Sequence, residues 1–271
     1  MTSEPPSDGN DELAAAGGLR QLRRFTPARI AIGRAGSGQP TAASLQFALD
    51  HARARDAARA APDFGQLEQS LVKRGWSVIR AKSAARERSE YLRRPDLGRQ
   101  LSAEGRLAVA GKSEGSDVAI VAADGLSASA IEANLLPTLD HLRPLLLSAG
   151  LAVGPLALVE LGRVAIGDEI GRLLNAKLVA VLIGERPGLS SADSLGAYIT
   201  WRPRVGTMDS CRNCVSNIRP AGLAPEDAAK QIFRVIEDAF AHGATGVQLN
   251  DLRLAAQAAC NAQRAPPSLD S

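Results

Sequence analysis

Beyond Gly115 the hydrophobic positions fall into a repeating order, in which short unbroken apolar runs alternate with longer stretches where apolar residues recur every three or four positions. The runs V-A-I-V-A-A (118–123), L-A-L-V-E (156–160) and L-V-A-V-L-I (178–183) have strand length and little polar alternation, which predicts strands buried on both faces of a parallel sheet. Between the first two, Leu135, Leu136, Leu139, Leu142 and Leu146 form a helical stripe. Between the second and third, Ile170, Leu173 and Leu174 mark a shorter helix. The order is that of a βαβαβ unit. A last clear helix opens at Pro225, carries Ala228, Ile232, Val235, Ile236, Ala239 and Phe240 along one side, and stops at Gly243.

The chain before Gly115 is less regular. Leu45, Ala48, Leu49 and Ala52 follow a helical stripe for which Thr41 would be the N-cap. The arginine-rich stretch from Arg86 through Y-L-R-R-P-D-L-G-R (91–99) reads as helix and turn, interrupted by Pro95, with its charges facing solvent or a partner. Residues 1–24 have the Ser, Pro, Gly and Ala content of a flexible tail, although Leu13, Leu19, Leu22 and Phe25 could share one helical face if docked. The expected organisation is a tail (1–24), a helical N-terminal extension (25–110), an open Rossmann-like α/β domain with a mostly parallel sheet (111–252) and a C-terminal tail (253–271).

Composition narrows the function. With 32 basic and 29 acidic residues the net charge of +3 is too balanced for a dedicated polyanion binder, so no nucleic-acid partner is expected. No apolar run approaches the roughly 18–20 residues needed to span a bilayer, and the N-terminus lacks a basic start followed by an apolar core, so the reading is a soluble, unsecreted protein. Three cysteines, Cys211, Cys214 and Cys260, do not make a disulfide framework and fit a reducing cytoplasm. Aromatic residues supply only 3% of the chain, which points to close packing of small side chains.

Open α/β sheets bind ligands beyond the carboxyl ends of their strands. The residues there read Asp124-Gly125-Leu126-Ser127, Gly162-Arg163-Val164 and Gly184-Glu185-Arg186-Pro187-Gly188. Glycines would let backbone amides approach a ligand, and Asp124, Arg163, Glu185 and Arg186 could orient it, an arrangement suited to a large amide-bearing molecule. The same segments also satisfy ordinary strand-to-helix turns, and spacing alone does not choose between the readings.

Other chemistries fit poorly. G-R-A-G-S-G (33–38) lacks the order of a dinucleotide fingerprint. Cys211-Arg212-Asn213-Cys214 has C-x-x-C spacing but neither a second cysteine pair nor a nearby histidine for zinc, and sits too late in the chain for a thioredoxin-like motif. No Ser-His-Asp grouping, carboxylate pair or phosphate loop is visible, so no catalytic residue and no metal ligand is assigned, and catalysis would require a partner.

The segments G-R-V-A-I-G-D-E-I-G, V-L-I-G-E-R-P-G-L-S-S-A-D-S-L-G-A-Y and C-V-S-N-I-R-P, between Gly162 and Pro220, resemble the ethanolamine ammonia-lyase small subunit. The resemblance extends back through V-A-I-V-A-A-D-G-L-S-A-S-A-I, Y-L-R-R-P-D-L-G-R, L-D-H-A-R-A-R-D and T-P-A-R-I-A-I-G-R-A-G, covering about residues 25 to 250 in one order. It implies an enzyme that deaminates ethanolamine to acetaldehyde and ammonia with adenosylcobalamin. A separate β/α-barrel large subunit would hold the substrate, and the corrinoid would lie at the subunit interface. By the same resemblance the small subunit's cofactor contacts fall on Val164, Glu185 and Cys214, whereas Cys211 receives no role. The D-x-H-x-x-G pattern that replaces the cofactor's own base is missing at Asp50-His51, so base-on binding is implied. The family forms hetero-oligomers, and some members enter a bacterial microcompartment. The rival reading from the residues is a non-catalytic α/β adaptor that binds a protein partner without cobalamin.

Overall fold

In the computed structural model, residues 21–26, 28–112 and 115–264 are described, with the side chains of 256–264 excepted. The proposed docking face through Leu13 and Leu19, most of the N-terminal tail, and residues 265–271 lie outside them. Among the described residues no helix is long and apolar enough to cross a membrane.

The elements are α1 (Thr41–Arg59), α2 (Phe64–Lys73), β1 (Val78–Lys82), α3 (Arg88–Arg93), α4 (Ala103–Ala110), β2 (Ser116–Ala123), α5 (Ala128–Ser148), β3 (Leu156–Glu160) and α6 (Ile166–Leu173), followed by β4 (Ala176–Gly184), β5 (Leu195–Trp201), β6 (Arg212–Ile218), α7 (Pro225–His242) and α8 (Val247–Arg264). Six strands form one sheet in the order β1-β3-β2-β4-β5-β6, parallel from β1 to β4, with β5 antiparallel to both β4 and β6. The expected mixed α/β class and mostly parallel sheet are present.

The three predicted strands are its centre, and their apolar runs are explained by two cores. Val118, Ile120, Ala122, Leu158 and Leu182 face Leu135, Leu139 and Leu142 of α5 and Ile232 and Ile236 of α7. On the other face Val121, Ala123, Val159, Val179 and Val181 meet Ile166 and Ile170 of α6 and Val109 of α4. Strands covered by helices on both faces have no use for polar alternation. On α6 the contact is close enough to require glycine: a Cβ on Gly167 would lie 2.3 Å from Val181 Cγ2.

Several expectations need correction. The region 25–110 is largely helical, as expected, and also supplies edge strand β1, V-I-R-A-K, against β3. Its Arg80 is half-buried and paired with Glu68 and Glu160, so charge hid the strand pattern. The stretch between β4 and α7, to which the hydrophobic pattern assigned no element, holds β5 and β6. Helix α8 follows Gly243, beyond the helix taken as the last. Helix α1 is present but has Pro40, not Thr41, at its N-cap, and buries none of its residues; Leu45 and Leu49 of its helical stripe remain 65% and 45% exposed.

The sheet order places the site. Helix α5 carries the chain from β2 to β3 on one side, and α6 carries it from β3 back across to β4 on the other side of β2. The carboxyl ends of β2 and β4 therefore flank a topological switch point, where the connecting loops diverge and leave a crevice.

Candidate cofactor-binding site

At that crevice lies an open cavity of about 460 Å³, lined by Tyr91, Gly125, Leu126, Arg163, Val164 and Glu185, with Gly184, Arg186 and Tyr198 beside them. Its floor is tight. Gly125 (φ +56°) turns the chain out of β2 so closely against β4 that a Cβ would stand 2.2 Å from Gly184 O, and the Leu126 N–H donates to that carbonyl at 2.9 Å. A side chain at Gly125 would meet backbone as well as adopt an unfavourable φ.

Two of the three expected contact residues converge here. Val164 follows the Arg163 turn, whose N–H donates to Gly98 O at 2.7 Å; the Val164 carbonyl accepts from Gly167, while its own N–H has no acceptor among the described residues. Across the crevice, Glu185 leaves β4 with its N–H on Ser194 O. Glu185 Oε2 accepts from the Ser194 hydroxyl and from Asn217 N–H (3.3 Å), so that oxygen is held. Oε1 accepts from no described group and lies over Gly196, where a Cβ would come within 2.7 Å. An unpaired backbone donor and an unpaired carboxylate acceptor thus belong to two residues that line one cavity. A carboxamide needs one of each, its carbonyl accepting and its NH₂ donating.

Cys214 does not line the cavity. It sits, exposed, on β6 in register with Tyr198 of β5, which itself lines the cavity. Desolvation first, and the charge of Glu185 after it, push the Cys214 thiol above its ordinary value, while the Tyr198 hydroxyl opposes them. The thiol therefore stays protonated near neutrality, which suits packing or a weak polar contact and not nucleophilic or redox work. Cys211 and Cys214 are free, and among the described residues no three His, Cys, Asp or Glu side chains converge on a metal position. Tyr198 was missed because β5 was missed, although its alternation was readable: Leu195, Ala197 and Ile199 point to one core and Tyr198 to the other face.

Of the four charged rim residues, Asp124 faces inward. It is 1% exposed, takes Arg88 Nη1 on Oδ2 at 3.0 Å, and accepts the Gly162 N–H on Oδ1 at 3.3 Å. It orders the loops and cannot reach a ligand. Arg163 stacks its guanidinium 4.4 Å from the Tyr91 ring centroid and leaves a buried Nε without a partner.

Desolvation by burial pushes the Asp124 carboxyl up to about 6, against the opposing pull of Arg88 and the backbone donors. A raised folded-state value means that the native protein keeps a proton the unfolded chain has released. The associated stability is fully present below the ordinary carboxylate value of 3.8 and is lost as pH rises through about 6. Wild-type stability relative to Asp124→Asn should thus fall by about 2 kcal/mol from pH 4 to pH 7. Paired denaturant titrations at the two pH values check this; parallel behaviour of the two proteins would show that the carboxyl is not raised.

The model of the family described as ethanolamine ammonia-lyase light chain matches residues 16–250. The chain is 52% identical over 234 residues to the ethanolamine ammonia-lyase small subunit of Rhodopseudomonas palustris, covering 86% of this chain and 90% of that one. It is 50% identical over 236 residues to the small subunit of Azotobacter vinelandii, covering 86% and 87%. With the small subunit of Pseudomonas syringae pv. tomato it shares 45% identity over 255 residues, 93% of this chain and 89% of the relative.

Proposed function

The chain belongs to the ethanolamine ammonia-lyase small-subunit family, and from that membership we propose that it forms one side of an adenosylcobalamin site completed by the large subunit. The observation that carries this reading is that Val164, whose N–H is unpaired among the described residues, and Glu185, whose Oε1 accepts from no described group, line one open cavity at the switch point. Cobalamin's rim of carboxamides matches that donor and acceptor set. A cavity of about 460 Å³ is sized for part of such a molecule, so the remainder would belong to the partner.

When bound, the cofactor supplies the radical chemistry that removes ammonia from ethanolamine and leaves acetaldehyde. This chain's residues would bind and orient it. Val164 N–H would donate to an amide carbonyl and Glu185 Oε1 would accept from an amide NH₂. Ser194 and Asn217 would hold the Glu185 carboxylate in place, and Tyr198, backed by Cys214, would supply an apolar wall. No residue here is assigned to the substrate, whose pocket would lie on the large subunit.

Ammonia release from ethanolamine with adenosylcobalamin should appear when this chain and the large subunit are mixed, and with neither alone. In the mixture, Glu185→Ala should raise the KM for adenosylcobalamin by roughly 10–100-fold, the loss expected for one charge-assisted hydrogen bond. Folded subunits that form a complex but show no turnover in any combination would favour the adaptor reading.

A further inference from the structure

Arg88 joins two parts of the molecule that otherwise share little. Its Nε donates to Ala58 O at 2.8 Å, one of the last carbonyls of α1. Such carbonyls have no partner within their own helix and form the negative end of its dipole, so the guanidinium acts as a C-terminal cap supplied from α3. The same side chain donates from Nη1 to Asp124 Oδ2 (3.0 Å) and to Gly125 O (2.8 Å) at the end of β2. It also lies 5.0 Å from the centroid of the Tyr91 ring. The opposing carboxylate oxygen of Asp124 holds the Gly162 N–H, and the Gly162 carbonyl accepts from the Tyr91 hydroxyl at 3.0 Å.

The segment held in this way is strained. Leu161, between β3 and Gly162, has φ +56°, a conformation that costs a non-glycine residue about 1 kcal/mol or more and persists only where its surroundings enforce it. Arg163 and Val164 follow directly. Helix α1 has no fully buried residue, only Asp50 and some of its alanines partly covered and slight contact with α5, and its side-chain bonds are few: Arg88 to Ala58, and Arg29 to Asp50. Its docking therefore depends on a few directional bonds, one of which ends at the rim.

We propose that Arg88 is a positioning residue that couples the docked state of α1 to the shape of the Leu161–Val164 segment at the rim. With α1 seated, the guanidinium is fixed between Ala58 O and Asp124, Asp124 keeps its hold on Gly162, and Val164 N–H stays presented. With the end of α1 displaced, Arg88 loses one anchor, Asp124 loses a fixed counter-charge, and the strained turn relaxes. The consequence for cofactor binding rests on the function proposed above; the coupling itself does not.

The test is amide hydrogen exchange on the full chain assembled with its large subunit, with cyanocobalamin binding measured in parallel. Arg88→Met should speed exchange of the bonded Gly162 and Arg163 amides within residues 161–164 about tenfold, and Ala54→Pro, which breaks α1 a turn before Ala58, should do the same. The double variant should be no looser at 161–164 than Arg88→Met, because the link is already cut. Arg88→Lys, which keeps a charge beside Asp124 but cannot also reach Ala58 O, should loosen the rim less than Arg88→Met and leave it insensitive to Ala54→Pro. Unchanged exchange at 161–164 in Arg88→Met, or additive effects of the two substitutions, would overturn the proposal. Failure of the wild-type complex to bind cyanocobalamin would sink the cofactor reading instead, and the exchange data would still decide the coupling.

Discussion

Arg212→Met should destabilise the protein by about 3–5 kcal/mol, the cost of leaving one member of a buried ion pair unpaired. For a domain of this size that is a fall in thermal midpoint of roughly 6–20 °C. Asp168 and Arg212 have side chains 1% and 2% exposed and meet through two contacts, Nη1–Oδ1 at 2.6 Å and Nη2–Oδ2 at 2.8 Å. The remaining guanidinium protons go to Thr200 Oγ1, Thr207 O and Asp209 Oδ1, so all five are used. Burial raises the Asp168 carboxyl above its ordinary value and Arg212 pulls it back. Without Arg212 the first effect acts alone. Adding Asp168→Leu to Arg212→Met removes the stranded carboxylate, and the double variant should recover most of the loss. Calorimetric midpoints of the two variants check this; a double variant no better than the single one would mean that the pair contributes through geometry, not through avoided desolvation.

This pair also spans the candidate site. Asp168 sits in the first turn of α6, just after Val164, and Arg212 opens β6, two residues before Cys214. It fixes the helix behind one wall of the rim to the strand behind another. The C-x-x-C spacing had drawn attention to Cys211 and Cys214, yet the residue between them with the clearest structural work is Arg212.

What the sequence could disclose followed burial. The strands at 118–123, 156–160 and 178–183 were legible because both their faces are covered, and their loops exposed the rim at Val164 and Glu185. Edge strands are covered differently. β1 mixes Arg80 and Lys82 with Ile79 and Ala81, and β6 mixes Asn213 and Ser216 with Val215, so neither reads as an apolar run. Helix α1 erred in the opposite direction: Leu45 and Leu49 have helical spacing, but periodicity reports amphipathicity and not whether anything covers the face. Asp124 and Arg88 show a similar limit. Both were noticed as charge at the rim or on a solvated helix, whereas their burial against each other depends on closing a contact between positions 36 apart in the chain.

Gly184→Ala should be the most damaging change at the rim, costing about 3 kcal/mol or more and abolishing retention of the proposed cofactor. The added Cβ would stand 2.2 Å from Ser127 O and 2.5 Å from Asp124 O, which are backbone atoms on the turn from β2 into α5. Neither can rotate away. Ser127 caps α5 through the Ala130 N–H and donates its hydroxyl to Ala192 O, while Asp124 is tied to Arg88 and Gly162. The strain must therefore move the end of β4, taking Glu185 away from Val164. Gly188→Ala provides the control four residues on, because its nearest obstacle at 2.8 Å is the Ser191 hydroxyl, a side-chain atom free to rotate. That variant should lie within about 0.5 kcal/mol of wild type, as surface substitutions usually do. Thermal midpoints and cobalamin retention on gel filtration of both variants with the large subunit separate the cases. If Gly184→Ala matched Gly188→Ala in both, the closure of β2 against β4 would not be what sets the distance between Val164 and Glu185.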